Sequence, residues 1–120
     1  MKEPETSGAV TMNLKRARAA AEEYARQVRA RFGKRTSRIT LYGSAARGDW
    51  TDESDIDVLI LLDREEPGDM EWLVNTAYAV GISQRHLLLQ PVMLTADEFK
   101  HLVDRERRFA TDVLNEGIMI

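Results

Sequence analysis

Two short groups of residues hold most of the chemistry available to this chain. A Gly-Ser pair, Gly43-Ser44, is followed after ten residues by the acids Asp55 and Asp57, which open the apolar run "DIDVLILL". Side chains alternate along a strand, so these two carboxylates project from one face about 7 Å apart, while Ile56, Val58, Ile60 and Leu62 fill the other. Like charges at the head of a mostly buried strand are costly unless a cation neutralises them, and hard oxygen ligands at this spacing suit Mg²⁺ shared with substrate phosphates. The Gly-Ser turn is the complement. Glycine lets the backbone approach a phosphate, the first N–H groups of a following helical turn point at the anion, and the Ser44 hydroxyl adds a donor. Taken singly, each group has a plainer reading, since Asp-x-Asp is more often a strand-entry turn or a helix cap and Gly-Ser pairs are common. The combination of strand, turn, ten residues, paired acids and apolar strand is what narrows the chemistry.

Several elements must position these residues. Leu14, Ala17, Ala21, Tyr24, Val28 and Phe32 recur at spacings of three and four, the stripe of an amphipathic helix that Gly33 would close with a left-handed cap. Ser37 to Tyr42 alternates and is rich in strand formers, so a strand runs into Gly43. A turn at "EEPGD" precedes a helix predicted over Asp69 to Val80, carried by Met70, Leu73, Val74 and Ala77 and closed by Gly81. The segment around "QRHLLLQPVML" reads as a third strand, and Pro91, which cannot donate to a ladder, places it at an edge or a bulge. Thr95 to Glu98 matches a capping box opening one or two helices that carry Phe99, Leu102, Val103, Phe109, Val113 and Leu114.

With 120 residues, 43% of them hydrophobic, the chain fits one domain over 13–120 behind a flexible polar segment, 1–12. The absence of cysteine excludes a disulfide framework and thiolate metal sites, and suits a reducing cytoplasm. The longest apolar run, Val58 to Leu62, is far short of the roughly 20 residues of a membrane span, and the amino terminus lacks a signal-peptide core. Net charge is 17 minus 20, or −3, which argues against direct nucleic-acid binding. Residues 1–38 nevertheless hold ten Lys/Arg against four Glu, read as a solvated helix face before an acidic-partner surface.

The stretch "GSAARGDWTDESDID" resembles the signature of the DNA polymerase β-type nucleotidyltransferase superfamily, and above all its minimal nucleotidyltransferase (MNT) family. The core likeness covers about 25 residues, and the order of helices and strands around it agrees. It implies an α/β (α+β) fold, a small mixed sheet flanked by helices. It also implies Gly43 and Ser44 on a nucleoside triphosphate, ATP above all, with Asp55 and Asp57 binding one or two Mg²⁺. Members transfer a nucleoside monophosphate to an acceptor hydroxyl. Many minimal members are antitoxins that neutralise a HEPN-domain ribonuclease, some by moving AMP to a tyrosine of the toxin, which makes a HEPN-type protein the expected partner and a homo- or hetero-oligomer an open state.

Active members of the superfamily usually add a third carboxylate from a neighbouring strand, a metal ligand or general base. The candidate strand, Ile82 to Thr95, holds no Asp or Glu. Gln90 is the counterpart by position, with a carbonyl oxygen but no charge, and His86 is a substitute if strand alternation puts it on the same face. Asp63 shares the face of the acid pair but sits about 20 Å along the strand from Asp57. Arg47 could reach a phosphate, or equally pair with Asp49 or Asp57. Trp50 could stack on a base, though packing is the commoner role. Two functions stand: an Mg²⁺-dependent enzyme modifying a protein partner, or a binding protein of the same fold that neutralises a HEPN-type ribonuclease by occlusion.

Overall fold

The computed structural model describes residues 3–120, with side chains from Asn13 onward. Helix α1 runs Glu3–Phe32, so backbone within the segment expected to be flexible is helical from Glu3, and the first two residues lie outside the described ones. Its buried stripe is Ala17, Ala20, Ala21, Tyr24, Ala25, Val28 and Phe32, and Gly33 ends it at φ +56°. A 3₁₀ turn, Gly33–Arg35, leads into β1, Thr36–Tyr42. The short helix α2, Ser44–Arg47, follows, and then β2, Ile56–Leu62.

Helix α3, Asp69–Tyr78, continues as a π-helical stretch, Ala79–Ser83. The expected stop at Gly81 is therefore corrected. This glycine is needed for close approach, because a Cβ there would collide with the Leu87 carbonyl. Strand β3 is only Leu89–Thr95, shorter than the extended segment read from sequence, because residues 84–85 remain helical and His86 takes a positive φ of 57°. Helices α4, Ala96–Asp104, and α5, Arg108–Glu116, complete the chain with a two-residue strand β4, Ile118–Met119, that the sequence reading missed. The Thr95 capping box is present: the Glu98 N–H donates to Thr95 Oγ1 at 3.1 Å and the Thr95 N–H to Glu98 Oε1 at 2.8 Å.

The sheet is mixed and ordered β3-β2-β1-β4. β1 is antiparallel to β2 and β4, while β3 is parallel to β2, so Pro91 lies on an edge strand as expected. Alternation along β2 separates two cores. Ile56, Val58, Ile60 and Leu62 join α1 and α3, whereas Leu59 and Leu61 pack with Phe99 of α4 and Ala110 and Val113 of α5. Asp57 has the parity of Leu59 and Leu61, so it projects on the α4/α5 side, at the sheet end where Tyr42 is its register partner on β1.

Candidate active site

A cavity of about 460 Å³ opens at this end of the sheet, lined by Tyr42, Gly43, Ser44, Arg47, Ser54, Asp55 and Asp57 together with Phe109, Asp112 and Glu116 of α5. The two acids and the Gly-Ser turn therefore share one space. Asp55 precedes β2 and is exposed, and Asp57 is half-buried within the strand. Burial, with the neighbouring Asp55 carboxylate, raises the Asp57 pKa above the ordinary value.

Gly43 explains why the turn and the acid cannot be separated. Its backbone, φ 75° and ψ −153°, lies where only glycine is comfortable, and a Cβ would collide with Asp57 Oδ2. The α2 turn that begins there donates from Ala46 and Arg47 to the Gly43 carbonyl and from Gly48 to the Ser44 carbonyl. The Ser44 and Ala45 N–H groups, at the head of the turn, stand outside those bonds. The arrangement presents backbone N–H donors and a hydroxyl beside a carboxylate pair, a combination that can hold a phosphate ester and a hard divalent cation at once.

Arg47 is exposed and lies between carboxylates, with Nε 3.5 Å from Asp49 Oδ2 and Nη1 3.8 Å from Glu116 Oε1. These loose contacts leave it close to the cavity it lines. Gln90 is the Cα partner of Asp57 across β2 and β3, as the expected register requires, but it does not line the acid cavity; it lies on a second, apolar cavity with Met70, Val74, Tyr78 and Pro91. His86 lies three residues before β3 with positive φ, so the alternation that would align it with Gln90 does not exist. Trp50 is buried at 3% exposure with its indole N–H on the Ser54 carbonyl at 3.1 Å, the commoner packing role, and it shapes the loop before Asp55. Among the described residues, no three His, Cys, Asp or Glu side chains gather as a metal set.

The sequence reading missed the wall that α5 contributes. Phe109 meets the Tyr42 ring edge-on at 5.4 Å, and burial, reinforced by Asp57, pushes the Tyr42 hydroxyl up to about 12. Asp112 and Glu116 are four apart on α5 and line the cavity, a spacing visible in the sequence but unremarkable until the helix is seen across the sheet end.

Residues 21–116 match the family model described as a nucleotidyltransferase domain. The chain belongs to this nucleotidyltransferase family. Two proteins of Methanocaldococcus jannaschii, each named "Putative protein adenylyltransferase", resemble it along most of their length. One is 33% identical over 101 residues, covering 82% of this chain and 91% of the relative, and the other is 27% identical over 99 residues, covering 82% and 93%. A Sulfolobus solfataricus crystal structure, described as a "putative nucleotidyltransferase", superposes with a TM-score of 0.55 at 19% identity over 92% of this chain and 84% of that one, a likeness of fold. The activity class of the nucleotidyltransferase is thus nucleotidyl transfer, and the fold is the mixed, helix-flanked sheet its motif implied.

Proposed function

We propose that the protein transfers AMP from ATP to a hydroxyl of a protein partner, with Gly43, Ser44 and Arg47 facing the triphosphate and Asp55 and Asp57 holding Mg²⁺. One observation carries the reading: Gly43 packs directly on the Asp57 carboxylate, so a phosphate over the turn lies next to the acid pair. The donor set fits a hard cation, since exposed Asp55 and half-buried Asp57 line one cavity and the pKa of Asp57 is raised by burial and by the Asp55 carboxylate. When bound there, Mg²⁺ would neutralise charge on the phosphates and on the departing pyrophosphate. The protein's own part is positioning. The Ser44 and Ala45 N–H groups orient the phosphates, β2 fixes Asp57 with Asp55 at its entrance, and Phe109 and Tyr42 wall one side of the cavity an acceptor hydroxyl must enter. The names of the two archaeal relatives support adenylylation of a protein, and a HEPN-type ribonuclease is the acceptor we propose, on the resemblance to minimal antitoxin members.

The second reading, neutralisation of that partner by occlusion, is favoured by one observation. Gln90 stands in register with Asp57, the position where the resemblance implies a third acid, and it supplies neither charge nor a base. Labelled ATP, Mg²⁺ and a co-expressed HEPN-type partner separate the two. Wild type should label the partner, while Asp55→Asn with Asp57→Asn, and separately Gly43→Ala, should abolish labelling. Full neutralisation of the ribonuclease by the doubly substituted protein, with no label from wild type, would overturn the enzymatic reading in favour of occlusion.

A further inference from the structure

The turn that faces the nucleotide is held from behind by a residue of α1. Arg18 donates from Nε to the Ala45 carbonyl at 2.9 Å and from Nη2 to the Ala46 carbonyl at 3.1 Å, across 27 and 28 residues of sequence. These two carbonyls have no successor turn to serve, because α2 is only four residues long and its own bonds end at Gly48. Unsatisfied, they would leave α2 with three internal bonds and little reason to persist. The approach is close because the side chains between are small: Ala17, Ala20 and Ala21 of α1 and Ala45 of α2 are completely buried in one cluster.

We infer that Arg18 is the positioning residue of the Gly43–Arg47 turn, fixing from outside the cavity the orientation in which Ser44 meets a nucleotide phosphate. The inference rests on the nucleotide site proposed above. Arg18 does not line that cavity; it acts through α2. A guanidinium is suited to this place because its planar fork satisfies two adjacent carbonyls at once, whereas an ammonium reaches one well. The positive charge also sits at the carbonyl end of the turn, where it reinforces the alignment that leaves N–H groups toward the ligand.

The test compares wild type with Arg18→Met, Arg18→Lys and, as a control for lost charge on the same helix, Arg26→Met, whose side chain is exposed. Mg²⁺–ATP affinity is measured by calorimetry, transfer kinetics with labelled ATP, and folded fraction by circular dichroism at the assay temperature. Arg18→Met should weaken nucleotide binding and raise KM by about tenfold or more, as expected for loss of charge-assisted bonds, with kcat within about threefold of wild type. Arg18→Lys should recover part of the loss, and Arg26→Met should change neither. Should Arg18→Met fail to fold, Arg18→Lys carries the same comparison with a smaller expected effect. Unchanged affinity in the folded Arg18 variants, or an equal loss in Arg26→Met, overturns the positioning role while leaving the nucleotide site standing. A wild type that binds no nucleotide, with or without Mg²⁺, overturns both.

Discussion

At the scale of single residues, the molecule's chemistry turns on Asp57, whose environment resists its charge. Burial and the Asp55 carboxylate both raise its pKa in the folded state. An acid shifted this way contributes stability that is fully present below its unfolded value, near 4, and is lost as pH rises through the higher folded value. Metal-free protein should therefore lose this contribution on going from acid toward neutral pH, and Asp57→Asn should remove that part of the dependence. If Asp57 holds the cation as proposed, the same substitution should weaken Mg²⁺–ATP binding by at least about tenfold. Chemical denaturation across pH, with and without Mg²⁺–ATP, checks both halves. A variant with the pH profile and affinity of wild type would show that Asp57 is not the strained acid described.

Elements are held in register by a second acid that the sequence disguised as a helix start. Asp69, only 4% exposed, receives Arg35 Nη1 at 2.8 Å and Nη2 at 3.2 Å, and the Glu66 N–H at 2.7 Å. Arg35 precedes β1 and Asp69 begins α3, so this pair fastens the helix that carries Leu73 and Ala77 to the entrance of the sheet. Its bond to Arg35 holds the Asp69 carboxyl below the usual range despite burial. The sign is opposite to that of Asp57: the contribution is present above the unfolded value near 4 and is lost as pH falls through the depressed one. Asp69→Asn should lower stability at neutral pH, since it removes the charged partner of Arg35 and leaves that guanidinium only the Arg64 carbonyl and the looser Glu66 contact at 3.6 Å. Urea unfolding of the two single variants and of Asp69→Asn with Arg35→Met should show a double variant less impaired than the two losses added together. Simple additivity would mean that the pair does not act as a unit.

The molecule as a whole gathers its cavity from β1, α2, β2 and α5, stretches separated by up to about seventy residues. A ligand touching all of them links them, so it should stabilise the entire domain and not one loop. At about a hundred times its dissociation constant, Mg²⁺–ATP should add roughly 2.7 kcal/mol and raise the melting temperature by about 8–12 °C for a chain of this size. Removing the cation with a chelator should return the protein to its unliganded midpoint. Differential scanning fluorimetry with ATP alone, Mg²⁺ alone and both together reads the coupling, and equal shifts with ATP in the presence and absence of Mg²⁺ would contradict the shared site.

What the sequence determined by itself is what local rules control. The stripe from Ala17 to Phe32 could bury only as a helix, the Thr95–Glu98 box could only cap one, and Gly43 ahead of an acid pair at a strand entrance announced the nucleotidyltransferase motif, because each depends on neighbours a few residues away. Pro91 marked the edge strand for the same reason. Tertiary structure decided the rest. His86 left the third strand because the preceding helix overran Gly81, which alternation along a string of residues does not register. Trp50 turned inward where its indole N–H meets Ser54. The fork of Arg18 on α2, the Arg35–Asp69 clasp and the α5 wall over the acids join residues 27 to more than 50 apart, and such pairings leave no periodic trace in the chain. They arise only when two apolar faces of one mixed sheet are covered by different helices, which brings distant polar side chains together at its end.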